Sequence, residues 1–121
     1  MYCSELLSRM GVTPNYIGFR QTLSAVALAR RDPKCLSLVT KDLYPQVAKE
    51  YHTSWKSVER NIRSVVTIAW ARNPALIREL ARYPLTSKPK AAQFIGILVE
   101  YDHRTAGDEE EDLYQMALWP K

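Results

Sequence analysis

From Ser54 to about Arg72 the sequence carries its longest helical pattern, and this stretch does most to decide what the chain can fold into. At about 100° per residue, Val58, Ile62, Val65 and Val66 fall within one arc of roughly 100°, and Ala69 extends it. Such an arc demands a core to cover it. On the opposite side Lys56, Arg60, Arg63 and Thr67 recur at steps of four, three and four, with Glu59 on one flank and Ser57 and Ser64 on the other. Arginine forms paired hydrogen bonds to guanine, lysine suits phosphate, serine and threonine serve either, and Glu59 can accept from a cytosine amino group or orient Arg60. A surface helix of no special function can also carry three basic residues, so this pattern alone leaves both readings open.

The residues before this stretch supply the other half of a helix-turn-helix, which spans Tyr44 to Thr67. A first helix needs anchors and a small residue where the second crosses it. Val47 and Tyr51 provide the anchors, and Ala48 is the small residue. The turn holds His52, Thr53 and Ser54; the two hydroxyls suit helix capping, and histidine tolerates positive φ better than most residues. Trp55 either packs on Tyr51 or touches a thymine methyl or sugar.

Elsewhere the pattern is helical throughout. Tyr2 to Met10 places Cys3, Leu6, Leu7 and Met10 on one stripe, and Gly11 ends it as a C-terminal cap. Val12 to Gly18 is predicted as a loop, Phe19 to Arg31 as a buried helix, and Pro33 to about Asp42 as a third helix with proline in its first turn. Leu43-Tyr44-Pro45 then marks either a break before a helix from Pro45 to Tyr51 or a kink within one continuous helix. Asn73-Pro74 starts a helix over Ala75 to Ala81, Tyr83 to Pro89 is a loop with two prolines, and Ala91 to His103 closes the domain. No segment alternates long enough for a strand, and there is no internal repeat. The expected fold class is all-α: a compact bundle of about six helices containing a helix-turn-helix.

At 121 residues, 46% of them hydrophobic and 25% charged, the chain suffices for one domain with its own core. Cys3 and Cys35 have no Cys-x-x-Cys partner and share no ligand spacing with His52 and His103, so no metal and no cofactor are expected. No apolar run spans a bilayer and no signal peptide opens the chain, which predicts a cytoplasmic protein with free thiols, associated with the nucleoid when bound to DNA. No nucleophile has a recognisable base and orienting partner, and there is no glycine-rich phosphate loop, so the chain does not read as an enzyme.

The net charge of +4 hides an asymmetry: Asp108, Glu109, Glu110, Glu111 and Asp112 form one acidic run, and the chain up to Gly107 holds 16 Lys or Arg against 8 Asp or Glu. A basic body serves either solubility or a polyanionic partner. Residues 1–107 are expected to be the domain and 108–121 a flexible acidic tail. A sharper reading has the tail's acids cover the basic helix while Leu113, Met116, Leu118 and Trp119 dock on the domain, in which case truncation at Gly107 tightens DNA binding.

From Ser4 to about Asp102 the sequence resembles the C-terminal effector domain of the sporulation initiation response regulator of endospore-forming Firmicutes. The resemblance rests on Gly11-Val12, Gly18-Phe19, Leu38-Val39-Thr40-Lys41, Leu43-Tyr44-Pro45, Val47-Ala48-Lys49-Glu50-Tyr51, Val58-Glu59-Arg60 with Ile62-Arg63, Ile68-Ala69-Trp70-Ala71-Arg72, Lys88-Pro89-Lys90 and Phe94-Ile95. It implies a six-helix-type domain that binds short promoter boxes in double-stranded DNA, often as two domains in tandem or as a homodimer. It implies Glu59, Arg60 and Arg63 as groove contacts, lysines near Lys88 and Lys90 close to phosphates, and Trp70 in the core. Together with the helical-face pattern this gives Lys56, Ser57, Glu59, Arg60, Arg63 and Ser64 as candidate base or groove contacts, and Thr53, Ser54, Thr67, Lys88 and Lys90 as candidate phosphate contacts.

Three positions depart from the family pattern: Ser57 stands where an arginine is expected, Ser64 where a histidine is common, and Ile17 where a basic residue usually precedes the glycine. Met1 lies almost at the start of the effector, which leaves no room for a phosphate-accepting receiver domain; the chain is expected to be a free-standing relative or an excised piece. The functional expectation is a sequence-specific, DNA-binding transcription regulator. Its alternative is an interaction module on the same fold that antagonises a sporulation regulator without reading DNA.

Overall fold

The computed structural model describes residues 2–104, arranged as six α-helices: α1 (Cys3–Arg9), α2 (Ile17–Arg31), α3 (Tyr44–Glu50), α4 (Trp55–Arg72), α5 (Pro74–Ala81) and α6 (Ala91–Arg104). No strand occurs among the described residues, and the all-α expectation holds. The acidic run from Asp108 and the apolar residues after it lie outside the described residues.

Helices α2 and α4 form the central pair. α2 also packs on α1, α3 and α6, while α4 packs on α3, α5 and α6. The apolar arc expected on α4 is the buried one: Val58, Ile62, Val65, Val66 and Ala69 all lie inside. They meet Leu7, Phe19, Val47, Ile77, Phe94 and Leu98 in one core, and each large side chain so buried contributes about 1.5–3 kcal/mol.

Two helix ends share one device. At the end of α1, Val12 N–H donates to Leu7 O and Gly11 N–H to Ser8 O, both at 3.0 Å, with Gly11 at φ +88°. At the end of α3, Thr53 N–H donates to Ala48 O at 2.9 Å and His52 N–H to Lys49 O at 3.3 Å, with His52 at φ 54°. These crossed bonds satisfy the carbonyls of the last turn and need a left-handed residue between them. The positive φ expected of His52 is therefore present, at a cost that glycine would not bear. His52→Gly is expected to raise stability by about 0.5 kcal/mol, the left-handed strain relieved exceeding the added freedom of the unfolded chain; urea denaturation measures it.

The third predicted helix is not α-helical. Pro33–Ser37 is a 3-10 turn, opened by Asp32 Oδ1 accepting from Lys34 N at 3.3 Å. Leu38 leaves helical geometry at φ −136°, ψ 55°, and Val39–Leu43 then makes a π-helical turn. Leu43 and Tyr44 stay helical, so this turn runs straight into α3. The break expected at Leu43-Tyr44-Pro45 sits at Leu38 instead. Pro45 falls in the first turn of α3, directly after the π-helical turn. α2 also begins at Ile17, two residues earlier than its apolar pattern suggests.

Cys35 is fully buried and Cys3 half-buried. Burial pushes the Cys35 thiol pKa up, and Asp42 and Asp32 add to the shift. Among the described residues no helix is long and apolar enough to cross a membrane, and no group of three or more His, Cys, Asp or Glu could hold a metal.

Candidate nucleic-acid interface

Helix α4 starts where Ser54 can cap it. Ser54 Oγ accepts from Ser57 N at 3.1 Å, and its hydroxyl donates to Ser57 Oγ at 3.1 Å. Capping of this kind is worth about 1 kcal/mol. Ser57 is half-buried and its hydroxyl is already engaged, so it offers a groove less than a free serine would. Thr53, just before the cap, is exposed.

Beyond the cap, Lys56, Arg60, Arg63 and Thr67 are all exposed along the side of α4 that faces away from the core. Lys56 lies 5.8 Å from the Trp55 ring centroid, and Trp55 itself packs half-buried against the core. Glu59 holds Arg63 rather than the Arg60 expected from the sequence: Arg63 Nη2 donates to Glu59 Oε1 at 2.8 Å, an i,i+4 pair with Arg63 62% and Glu59 28% exposed. A pair this open contributes about 0–1 kcal/mol and gives way readily to a stronger acceptor. Ser64 Oγ and Thr67 Oγ1 donate to the carbonyls of Arg60 and Arg63, at 3.1 and 3.0 Å.

The loop before α6 joins this face. Lys88 Nζ donates to Thr67 Oγ1 at 3.1 Å, which sets a fourth cation beside Lys56, Arg60 and Arg63. The fold thus brings together residues 21 positions apart that the sequence linked only through the family resemblance. Lys90 stands exposed at the entry to α6, where its backbone N–H donates to Gln93 Oε1 at 3.3 Å. No described contact ties it to α4.

A second set of residues, which the helical-face pattern does not single out, fixes where α4 lies. Gly18 meets it so closely that a Cβ there would stand 2.4 Å from Asn61 O and 2.7 Å from Val65 Cγ2. Next to that crossing, Asn61 Nδ2 donates to the buried Gln21 Oε1 at 3.0 Å. At the far end of α4 the Arg72 guanidinium donates to Gly11 O, and Asn73 Nδ2 donates to Arg9 O at 3.0 Å. Asn73 Oδ1 meanwhile caps α5 by accepting from Leu76 N at 3.3 Å. The available signal for Asn61 was an amide flanking an apolar arc. Trp70 packs on the core only in part; its outer side meets Arg78, whose guanidinium is 4.9 Å from the ring centroid.

Behind the basic face lies Tyr44, 1% exposed. Burial pushes its phenol pKa up to about 12, the Glu59 carboxylate adds to the rise, and Arg63 opposes it. The folded state holds the neutral phenol, whereas the unfolded chain ionises near pH 10. Stability is therefore complete below pH 10 and falls as pH rises towards 12. Urea midpoints are expected to drop over that window, and Tyr44→Phe is expected to flatten the drop.

The arrangement is an exposed row of cations on a helix held rigidly by its other faces, a geometry suited to polyanions rather than to bond-making chemistry. Residues 3–101 match the family described as Sporulation initiation factor Spo0A C terminal. The chain belongs to that family, one of DNA-binding sporulation regulator domains and not of enzymes.

Proposed function

We infer that this chain is a sequence-specific transcription regulator of the sporulation-initiation type, with α4 lying in the major groove of promoter DNA. The observation that carries the reading is the Lys56, Arg60, Arg63 row, which Lys88 joins through Thr67. Arg60 and Arg63 read guanines, Glu59 reads cytosine or steers Arg63, and Lys56, Ser57 and Ser64 make the flanking groove contacts. Thr53, Ser54, Thr67, Lys88 and Lys90 meet phosphates, helped by the amide groups at the start of α4. Residues 1–107 act as one module, bound to DNA in tandem or as a homodimer, in the cytoplasm.

Selection from a pool of random duplexes tests this directly. The native chain is expected to enrich one short box. Ser57→Arg is expected to sharpen preference at a single position by about 1–3 kcal/mol, the worth of a paired arginine contact. Failure to enrich any sequence at low salt overturns the reading in favour of an interaction module that acts on another sporulation regulator.

A further inference from the structure

Beside the basic row, on the flank of α4 that meets the start of α2, runs a groove of about 260 Å³ lined by Tyr16, Ile17, Ser64 and Ile68 among others. Two of its walls are apolar residues left open to solvent: Ile17 is 52% and Tyr16 37% exposed. The volume falls below the roughly 300–1,000 Å³ of small-molecule sites, and suits one or two side chains of a peptide. Ser64 lines the groove and stands one helical turn from Arg60, to whose carbonyl it donates, so an occupant of the groove lies beside the basic row at Arg60. A phosphate backbone gains nothing from an exposed isoleucine, and the groove itself carries no cation.

The chain contains a segment of complementary build. Asp108 to Asp112 are five consecutive acids, and Leu113, Tyr114, Met116, Leu118 and Trp119 follow within seven residues. Acids followed by apolar residues match a cationic row flanked by an apolar groove. Reach is ample: residues 105–121 span up to about 56 Å when extended, against a radius of gyration of about 13 Å for a 100-residue domain.

We propose that residues 108–119 dock on their own domain, the acids over Lys56, Arg60 and Arg63 and the apolar residues in the groove at Tyr16, Ile17 and Ile68, in competition with DNA. The competition rests on the function proposed above; the docking does not. A closed form favoured tenfold lowers apparent DNA affinity about tenfold.

The test uses the full chain. Leu118→Ala with Trp119→Ala removes the apolar anchor and leaves net charge unchanged, so a gain in DNA affinity cannot come from general electrostatics. Methyl NMR at low salt is expected to show the Ile17 and Ile68 signals shifting when the Trp119 ring is lost, while the buried Ile62, Ile77 and Ile95 signals stay. Duplex affinity is expected to rise about tenfold. Unmoved Ile17 and Ile68 methyls overturn the proposal whatever happens with DNA. Shifts that grow with protein concentration overturn it too, since the segment then docks on a second copy. Methyl shifts in a chain that binds no duplex in either form uphold the docking and remove the DNA reading.

Discussion

Gly18→Ala is expected to destabilise the domain by about 3 kcal/mol and to lower its thermal midpoint by roughly 15 °C. Two effects compete. Alanine gains up to about 1 kcal/mol of helix propensity over glycine, and less in the first turn of a helix, where Gly18 sits. Against it stands a Cβ 2.4 Å from the Asn61 carbonyl and 2.7 Å from Val65. The first of these is backbone in the middle of α4 and cannot swing aside, so α2 and α4 must separate and loosen the core they share; overpacking wins. Gly96 supplies the contrast, because an added Cβ there meets nothing within 4 Å. Gly96→Ala, inside α6, is expected to stabilise by about 0.5–1 kcal/mol. Urea denaturation of the two variants should move the midpoint in opposite directions; a shared direction removes the close-approach argument.

Arg60→Ala with Arg63→Ala is expected to weaken binding to the selected box about a thousandfold. Each paired contact to guanine is worth about 1–3 kcal/mol. Arg63 must first leave Glu59, but that pair is open to solvent and costs about 1 kcal/mol or less to part. The slope of log affinity against log salt is expected to become shallower by up to about two, since two cations no longer displace counterions. Both side chains are exposed on a face that supports no core, so thermal stability should stay within about 0.5 kcal/mol of native. Binding unchanged by the double substitution would exclude α4 as the reading element.

The buried arc of α4 was legible because a long helix repeats its signal over five turns, and every member of the expected set is inside. Leu38 shows the opposite case. Two short turns with different hydrogen-bond registers, one 3-10 and one π, leave apolar spacings that a single α-helix mimics. The basic row was legible from the same period as the arc, whereas the Lys88 to Thr67 bond depends on a chain reversal that periodicity cannot encode. Gly18 belonged to the resemblance, yet local reading put it in a loop. Its role arises only against Asn61, 43 positions away, and spacing along the chain says nothing of such a contact.

The hold on α4 at Gly18, Asn61, Arg72 and Asn73 shares no residue with the row that faces outward. Substitutions along that row are therefore close to neutral for folding, and the box a lineage prefers can drift one contact at a time through viable intermediates. Ser64, exposed on the flank of that row, stands where such drift is cheapest, and the scaffold can serve as a chassis for rewriting specificity by varying solvent-facing positions alone.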